Sequence, residues 1–277
     1  MTYLEKADLW AANVWKMVVG SWEDRQQDYN YRRFLARPGV KKAMRILVSV
    51  EDGVFLDLGC GDGSEMRHVR RVLVKQGSSG KFFGFDLQNS LIKIAKSKAR
   101  KSVPIKMIFD AGELQGLVKK YNLVNKVDRV FSTFLLQELS DEEKYFRLSA
   151  NCLKESSQGV FLFLHPAFGT AMLKKKAVKI NKDLGKTERW RWAAEYPIVE
   201  ENGKTFFVPY FHREPDDYLK VAYKYFSEIE IIELQPSERV IEKCVQKHLS
   251  PFYDHPGNIY YPEITQMPSA LIFVVRK

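Results

Sequence analysis

The sequence predicts a doubly wound α/β fold, in which helices cover both faces of a mostly parallel seven-stranded sheet. Three observations support this prediction. Short apolar runs alternate with amphipathic helices from residue 54 onward, a glycine-rich turn follows the first run, and the alternation is interrupted once, in the middle of the chain. Hydrophobic residues make up 45% of the 277 residues and charged residues 28%, which is ordinary for a globular protein and excludes disorder as the default.

Residues 1–50 are predicted to form an N-terminal helical segment, which we expect to act with a mid-chain insertion as a lid over the C-terminal edge of the sheet. Trp10, Val14 and Met17 recur there at spacings of four and three, which is typical of one face of a helix. Pro38 is expected in the first turn of a second, short helix, where its missing N–H group breaks no hydrogen bond.

Cysteine usage and hydropathy indicate the setting of the protein. Cys60, Cys152 and Cys244 are odd in number and widely spaced, so neither a disulfide framework nor a zinc cluster is expected. No apolar run has the length of a signal peptide or of a membrane span. We therefore expect a reduced, cytoplasmic setting, with no metal site and no membrane partner.

The core is predicted over residues 51–166, because strands and helices alternate regularly there. The predicted strands are 54–58, 81–86, 105–110, 127–134 and 159–164, with a helix at 64–76, one that Asn89 caps and one that Asp141 caps. Right-handed crossovers bring the C-terminal ends of such strands to one edge of the sheet, which is where open α/β sheets bind ligands.

Residues 167–213 interrupt this alternation. The segment is first basic and then aromatic, and a hairpin is possible around Glu201-Asn202-Gly203. We interpret it as an insertion that caps the ligand edge of the sheet. Residues 214–277 are expected to complete the core with a helix at 214–226 and strands at 228–234 and 271–275.

The glycine-rich turn is the strongest indication of function. It reads Asp57-Leu58-Gly59-Cys60-Gly61-Asp62-Gly63, and its glycines would let a ligand approach the backbone at the start of a helix. A dinucleotide-binding turn has the spacing G-x-G-x-x-G, whereas the spacing here is G-x-G-x-G. A carboxylate at Asp57 would repel a pyrophosphate and attract an ammonium group.

Two more carboxylates follow the next two predicted strands. Asp86 lies 23 residues after Gly63, where an acid typically accepts hydrogen bonds from ribose hydroxyls, in NAD-binding and other nucleotide-binding folds alike. Asp110 ends the third strand and could bond an adenine amino group, although an acid in this place, taken alone, is most often a turn residue.

The motif at 57–63 resembles the first motif of class I methyltransferases that depend on S-adenosylmethionine (SAM), which have a Rossmann-like fold. Asp86 and Asp110 fall where that family has its ribose and adenine acids, and Val127–Phe134 resembles its fourth-strand motif. Segments 31–33, 165–168 and 211–213 resemble parts of its small-molecule subgroup. The resemblance implies methyl transfer from SAM to a small-molecule acceptor, with S-adenosylhomocysteine (SAH) as the second product.

The resemblance also implies which residues contact the cofactor. They are Tyr31, Arg32, Asp57, Gly59, Cys60, Gly61, Gly63, Asp86, Leu87, Asp110, Ala111, Thr133, Phe134 and Gln137. Many members of the family have a histidine after strand four, but this chain has Leu135-Leu136-Gln137-Glu138 there. Gln137 can contact a ligand but cannot serve as a strong base.

A general base elsewhere would speed transfer to a hydroxyl, an ammonium group or a carbon acid by about 10²–10⁴-fold. His165 ends the fifth strand and His212 ends the insertion, and both are candidates for this catalytic role, although a lone histidine is more often structural. Glu138 is interpreted as a residue near a helix start. The aromatic residues of the insertion could form a local core, or walls of an acceptor pocket for a planar or apolar substrate.

The formal net charge of +10 leaves other functions open. Basic runs at 67–71, 93–101 and 174–176 could attract nucleic acid, but we interpret them as solvated helix faces, since no interleaved aromatic signature accompanies them. An RNA or protein methyltransferase is the alternative among enzymes. A non-catalytic module that senses SAM is the alternative outside them.

Overall fold

The computed structural model describes residues 2–18, 36–44, 47, 49–99, 105–175, 184, 189–199, 205–246 and 262–277. The strands of this part of the chain are β1 Gly53–Leu58, β2 Gly80–Asp86, β3 Ile105–Ala111, β4 Val127–Thr133, β5 Leu153–Leu164, β6 Trp192–Val199, β7 Thr205–His212, β8 Glu228–Leu234 and β9 Ala270–Arg276. Seven of them form one sheet in the order β3-β2-β1-β4-β5-β9-β8, and β6 and β7 form a separate hairpin.

The seven-stranded sheet confirms the predicted fold class. Strands β1 to β5 run parallel to one another, and β9 is antiparallel to both β5 and β8. The order reverses at β1, because the chain moves outward to β3 and then returns to place β4 on the other side of β1. A crevice opens at such a point, beyond the C-terminal ends of the strands.

Helices cover both faces of the sheet. In chain order they are α1 Tyr3–Val18, α2 Arg37–Met44, α3 Ser64–Lys75, α4 Asn89–Lys98, α5 Leu114–Lys120, α6 Glu142–Cys152, α7 Pro166–Lys175, α8 Pro215–Ala222 and α9 Glu238–Gln246. Short 3₁₀ helices lie at Leu136–Glu138 and Pro262–Gln266. Among the described helices, none combines the length and the apolar character needed to cross a bilayer.

Two hydrophobic clusters hold these layers together, one on each face of the sheet. The alternation of side chains along a strand produces both, since Leu162 of β5 joins the cluster beneath α2, α3 and α4, while Phe161 joins the cluster beneath α5, α6 and α8. Met66, Val69 and Leu73 of α3 are all buried, as their spacing predicts.

Most predicted element boundaries are confirmed to within a few residues, but β5 begins at Leu153 instead of residue 159, and two further local predictions are wrong. Asn89 does not cap α4, because it is the first residue of the helix and Gln88 is the cap. The predicted helix at 214–226 ends earlier, at Ala222, with Glu214 as its cap. Asp141 caps α6 as predicted and accepts a hydrogen bond from the backbone of Lys144 at 3.0 Å.

The β6–β7 hairpin confirms the strand pairing expected within the insertion, although its turn at residues 200–204 lies outside the described residues. The hairpin packs against α1. Trp190 and Phe211 are buried with Ala7 of α1, and the ring of Trp10 meets Phe211 edge-on at 5.5 Å. These aromatic residues thus form a local core. We call α1 and the β6–β7 hairpin the cap.

Trp10 is expected to join the two parts of the cap into one cooperative unit. Besides the ring of Phe211, it contacts Glu195 of β6, to which its indole nitrogen donates a 3.4 Å hydrogen bond. The aromatic contact is worth about 0.5–1.5 kcal/mol beyond the apolar area that it buries. In Trp10→Ala, hydrogen exchange should therefore accelerate in both α1 and the hairpin, while the amides of β1–β5 stay protected.

The matched control is Leu9→Ala on the same helix, because Leu9 is half exposed. Faster exchange in only one part of the cap, with the other unchanged, would show that the two parts are stabilised independently.

Candidate functional site

A cavity of about 390 Å³ opens at the C-terminal ends of the central strands. The strand ends and the loops after them contribute Gly59, Cys60, Gly61, Asp62, Asp86, Leu87, Gln88, Glu113, Thr133, Phe134, Leu135, Glu138, Leu139, Ser140 and Asp141. The helices contribute Asp8, Ala11, Ala12, Trp15, Glu65, Leu91, Leu114, Lys144, Tyr145 and Leu148. The cavity therefore lies between the sheet edge and α1.

The glycine-rich turn forms the floor of this cavity. Gly61 has φ +54°, a conformation that favours glycine, and a Cβ there would meet no other atom within 4 Å, so its backbone faces open space. Gly63 is also left-handed, but a Cβ there would lie 2.7 Å from the ring of Phe109. The first of these glycines admits a ligand, and the second allows α3 to pack closely on the sheet.

Asp86 holds the turn from the neighbouring strand. Its Oδ2 accepts a hydrogen bond from the Gly61 amide at 2.8 Å, and its Oδ1 accepts one from the Gln88 amide at 2.8 Å. Burial raises the pKa of this carboxyl, and the backbone donors oppose the shift. Each oxygen keeps a second lone pair, so the carboxylate can still accept ligand hydroxyls.

Asp57 lies behind the turn and does not itself line the cavity. Its side chain is 3% exposed, and Oδ1 has no hydrogen-bond partner among the described residues. Burial, and then the charges of Glu65 and Asp86, raise its pKa to about 8. A cationic group bound at the turn would relieve this cost, since an opposite charge nearby favours the ionised carboxylate.

Carboxylates dominate the charged side chains around the cavity. The acidic lining residues are Asp8, Asp62, Glu65, Asp86, Glu113, Glu138 and Asp141. Lys144 is the one cation among the lining residues, and its Nζ lies 3.7 Å from Glu113. This lining suits a ligand with cationic groups and disfavours a pyrophosphate, which agrees with the glycine spacing.

The loop after β4 carries a strained residue at the cavity. Phe134 has φ +58°, which is unusual for an aromatic residue and costs about 1–3 kcal/mol. Its amide donates to the Leu162 carbonyl at 2.7 Å, and its carbonyl accepts from Gln137 Nε2 at 2.7 Å. Gln137 itself does not line the cavity. In this structure it supports the backbone of Phe134.

Of the predicted cofactor contacts, the structure brings one group to the cavity. That group consists of Gly59, Cys60, Gly61, Asp86, Leu87, Thr133 and Phe134. Four other predicted contacts are near that group in the sequence but do not line the cavity, namely Asp57, Gly63, Ala111 and Gln137. Tyr31 and Arg32 lie outside the described residues.

Asp110 is not brought to the cavity either. Its Oδ2 accepts hydrogen bonds from Lys120 Nζ at 2.7 Å and from the hydroxyl of Tyr121 at 2.9 Å. The bond from Lys120 lowers the pKa of this carboxyl. The sequence interpretation did not include α5, and it is this helix that carries Lys120 to Asp110.

The structure keeps both histidines named as possible bases away from the cavity. His165 precedes α7, where its Nδ1 accepts a 3.2 Å bond from the amide of Ala167, as a helix cap does. His212 is buried between Tyr210 and Glu214 and stacks on Trp192 at 4.5 Å. Burial lowers the pKa of both imidazoles. These surroundings indicate structural roles.

The sequence interpretation expected the N-terminal helical segment over this edge of the sheet, but it named none of the α1 residues that line the cavity. Asp8, Ala11, Ala12 and Trp15 line the cavity, and they follow the spacing i, i+3, i+4, i+7. A second face at helical spacing, beside the one marked by Trp10 and Val14, was the signal that could have revealed them. Within the described part of the chain, no group of residues could hold a metal ion.

Comparisons with known proteins agree with this fold and site. A family model described as a methyltransferase domain matches residues 49–203, which is more than half of the chain. None of the curated proteins compared with the chain matches it.

Many solved structures share the fold. A SAM-dependent methyltransferase from Mesorhizobium loti has 17% identity and a TM-score of 0.54, over 87% of this chain and 98% of that one. A methyltransferase in complex with the Haloferax volcanii activator Trm112 has 12% identity and a TM-score of 0.59, over 94% and 96%. Geranyl diphosphate C-methyltransferase from Streptomyces coelicolor has 12% identity and a TM-score of 0.56, over 87% and 79%.

The fold and the glycine turn define a class I methyltransferase. The chain belongs to the methyltransferase domain family and is an enzyme that uses SAM as its methyl donor. The residues present fit this cofactor, because SAM carries an ammonium and a sulfonium group, and the cavity offers carboxylates with the unpartnered Asp57 oxygen behind the turn.

Asp57 should release a proton when SAH binds. At neutral pH the carboxyl is mostly protonated, since its pKa is about 8, and the ligand ammonium should lower that pKa. Calorimetric enthalpies of SAH binding should therefore depend on the ionisation enthalpy of the buffer. Asp57→Asn should abolish this dependence, and an equal dependence in both proteins would contradict the assignment.

The same carboxyl should make the stability of the ligand-free protein depend on pH. Its pKa is raised in the folded state, so its contribution to the free energy of unfolding is complete below about 3.8 and is lost as the pH rises through about 8. Asp57→Asn should flatten the stability profile across this window.

Proposed function

We propose that the protein methylates a small molecule, which binds between α1 and the loop after β4. The observation that carries this proposal is the wall that α1 adds to the cavity. Ala11, Ala12 and Trp15 of α1 line the cavity together with the sheet edge. A concave site of this size with an apolar wall suits a small acceptor better than a polymer.

The proposed binding of SAM follows the strand ends. Asp86 would accept hydrogen bonds from its ribose hydroxyls. Its ammonium group would lie at the glycine turn, close to the charge of Asp57, and its adenine would lie near Leu87 and Leu114. SAM supplies an activated methyl group, because its sulfonium sulfur leaves with the electron pair when the carbon–sulfur bond breaks. The protein would mainly hold the two reactants in near-attack geometry, which can supply roughly 7–11 kcal/mol of the barrier.

Glu138 is our proposal for the proton acceptor. It lies at the end of the 3₁₀ helix after β4 and lines the cavity, unlike His165 and His212. A carboxylate there can take the proton that an acceptor loses as it is methylated. We further propose that the cap serves as the lid, with α1 excluding water from the reaction.

The test is to incubate the protein with methyl-labelled SAM and a metabolite extract and to identify the labelled product. Glu138→Gln should lower transfer by about 10²–10⁴-fold and leave SAH affinity unchanged, because only proton transfer is lost. Glu233→Gln is the matched control, since Glu233 is an exposed carboxylate outside the cavity.

SAH binding without any labelled product from the extract would contradict the proposal of a small-molecule acceptor. Full activity of Glu138→Gln would show that positioning alone drives the transfer.

An RNA acceptor is the second candidate, and one surface favours it. The exposed charged residues of α2, α3 and α4 are all cations: Lys41, Lys42, Arg71, Lys75, Lys93, Lys96 and Lys98. The single acid in these helices, Glu65, is buried and bonded to Arg37. This positively charged surface next to the cavity could bind the phosphate backbone of an RNA.

This candidate predicts a salt-dependent affinity for a structured RNA such as a transfer RNA. Arg71→Glu combined with Lys75→Glu should reduce the slope of log affinity against log salt by at least about two, because two phosphate contacts are lost. The control pair Lys119→Glu and Lys220→Glu has the same charge change on the opposite face of the sheet. An equal reduction by both pairs would indicate attraction by net charge alone.

A further inference from the structure

A fully buried guanidinium links the cap to the wall of the cavity. Arg213 follows β7, and its side chain is 0% exposed. Its Nε donates to the Arg189 carbonyl at 2.6 Å, and its Nη2 donates to the carbonyls of Leu139 at 2.8 Å and Ser140 at 3.0 Å. The same nitrogen forms an ion pair with Glu142 of α6 at 2.7 Å.

Two of these partners belong to the cavity. Leu139 and Ser140 both line it, in the loop between the 3₁₀ helix and α6. The hydroxyl of Ser140 also bonds the carboxylate of Asp8, which lines the cavity from α1. Arg213 therefore holds the backbone at the point where the loop after β4 meets the cap.

The chemistry of the guanidinium suits this position. The planar fork of arginine reaches several fixed directions at once, here through Nε and Nη2, while Nη1 has no hydrogen-bond partner among the described residues. Lysine has one nitrogen and could not reach the Arg189 carbonyl and the two loop carbonyls together. Burial raises the pKa of Glu142, and the charge of Arg213 opposes that shift.

We propose that Arg213 is a positioning residue for methyl transfer. By fixing the Leu139 and Ser140 carbonyls, it sets the geometry of the cavity wall where the loop after β4 meets α1, and it does so without touching either reactant. The glycine turn and Asp86, which face SAM on the other side, do not contact it. Of the measurements that test this proposal, only methyl transfer rests on the proposed function.

Removal of Arg213 alone would combine a loss of stability with a loss of loop positioning, because it leaves Glu142 as an unpaired buried charge. The informative variant is therefore Arg213→Met combined with Glu142→Met, which replaces the ion pair with apolar side chains of similar length. Such replacements often restore stability, but this one cannot restore the donors to the loop carbonyls. The variant separates folding from positioning.

In this double variant we expect a thermal midpoint above that of Arg213→Met alone, because no unpaired buried charge is left, and unchanged SAH affinity by calorimetry. Hydrogen exchange at residues 135–141 should accelerate at least about tenfold, because the loop amides lose their fixed frame. Transfer from labelled SAM in metabolite extract should fall by on the order of 10²-fold, which is the effect of a misplacement of about 1 Å. Arg213→Lys should fall between the two proteins.

Arg191→Met is the matched control, because Arg191 lies in the same segment and forms an exposed ion pair with Asp217. It should leave loop exchange and transfer unchanged. Loop exchange in the double variant that matches the unchanged protein would overturn the proposal, and so would transfer that recovers together with the thermal midpoint. Because loop exchange needs no acceptor, failure of the proposed function would leave this outcome readable.

Discussion

The hydrogen bond between the Gly61 amide and the Asp86 carboxylate is the constraint on which the site depends. It joins the turn after β1 to the end of β2 at 2.8 Å. One carboxylate oxygen of Asp86 accepts a hydrogen bond from the Gly61 amide and the other accepts one from the Gln88 amide, so the carboxylate is fixed. The open side of the turn then faces the cavity. A longer turn of the dinucleotide type would move this amide away from the carboxylate. The short glycine spacing and the acid after β2 therefore depend on each other.

The distribution of charge follows from the needs of the two surfaces. The chain carries a net charge of +10, yet one lysine accompanies seven carboxylates around the cavity. Burial makes the ionised form costly for Asp86, which lines the cavity, and for Asp57 behind the turn, as their raised pKa values show. A cationic ligand offsets this cost, and cations on the outer helices attract anionic partners without entering the cavity. Net charge alone therefore gives a misleading picture of the ligand.

The sequence predicted the sheet and its ligand edge well, because both depend on local patterns. Alternating apolar runs revealed the seven strands, and glycines with strand-terminal acids revealed the turn and Asp86. Placement that depends on distant contacts was not predictable. Asp110 bonds Lys120, which lies on a helix that the sequence interpretation omitted. His212 is buried against Trp192 and Glu214, and no spacing in the sequence indicates these contacts.

The two faces of α1 explain why the cap and the site form together. Ala7 and Trp10 pack on the hairpin, whereas Ala11, Ala12 and Trp15 line the cavity. The hairpin needs α1 to bury Trp190 and Phe211, and the cavity needs α1 as a wall. The same chain segment that stabilises the cap therefore closes the site. Because Ser140 bonds Asp8 while Arg213 holds the loop, any shift of the cap must move the cavity wall with it.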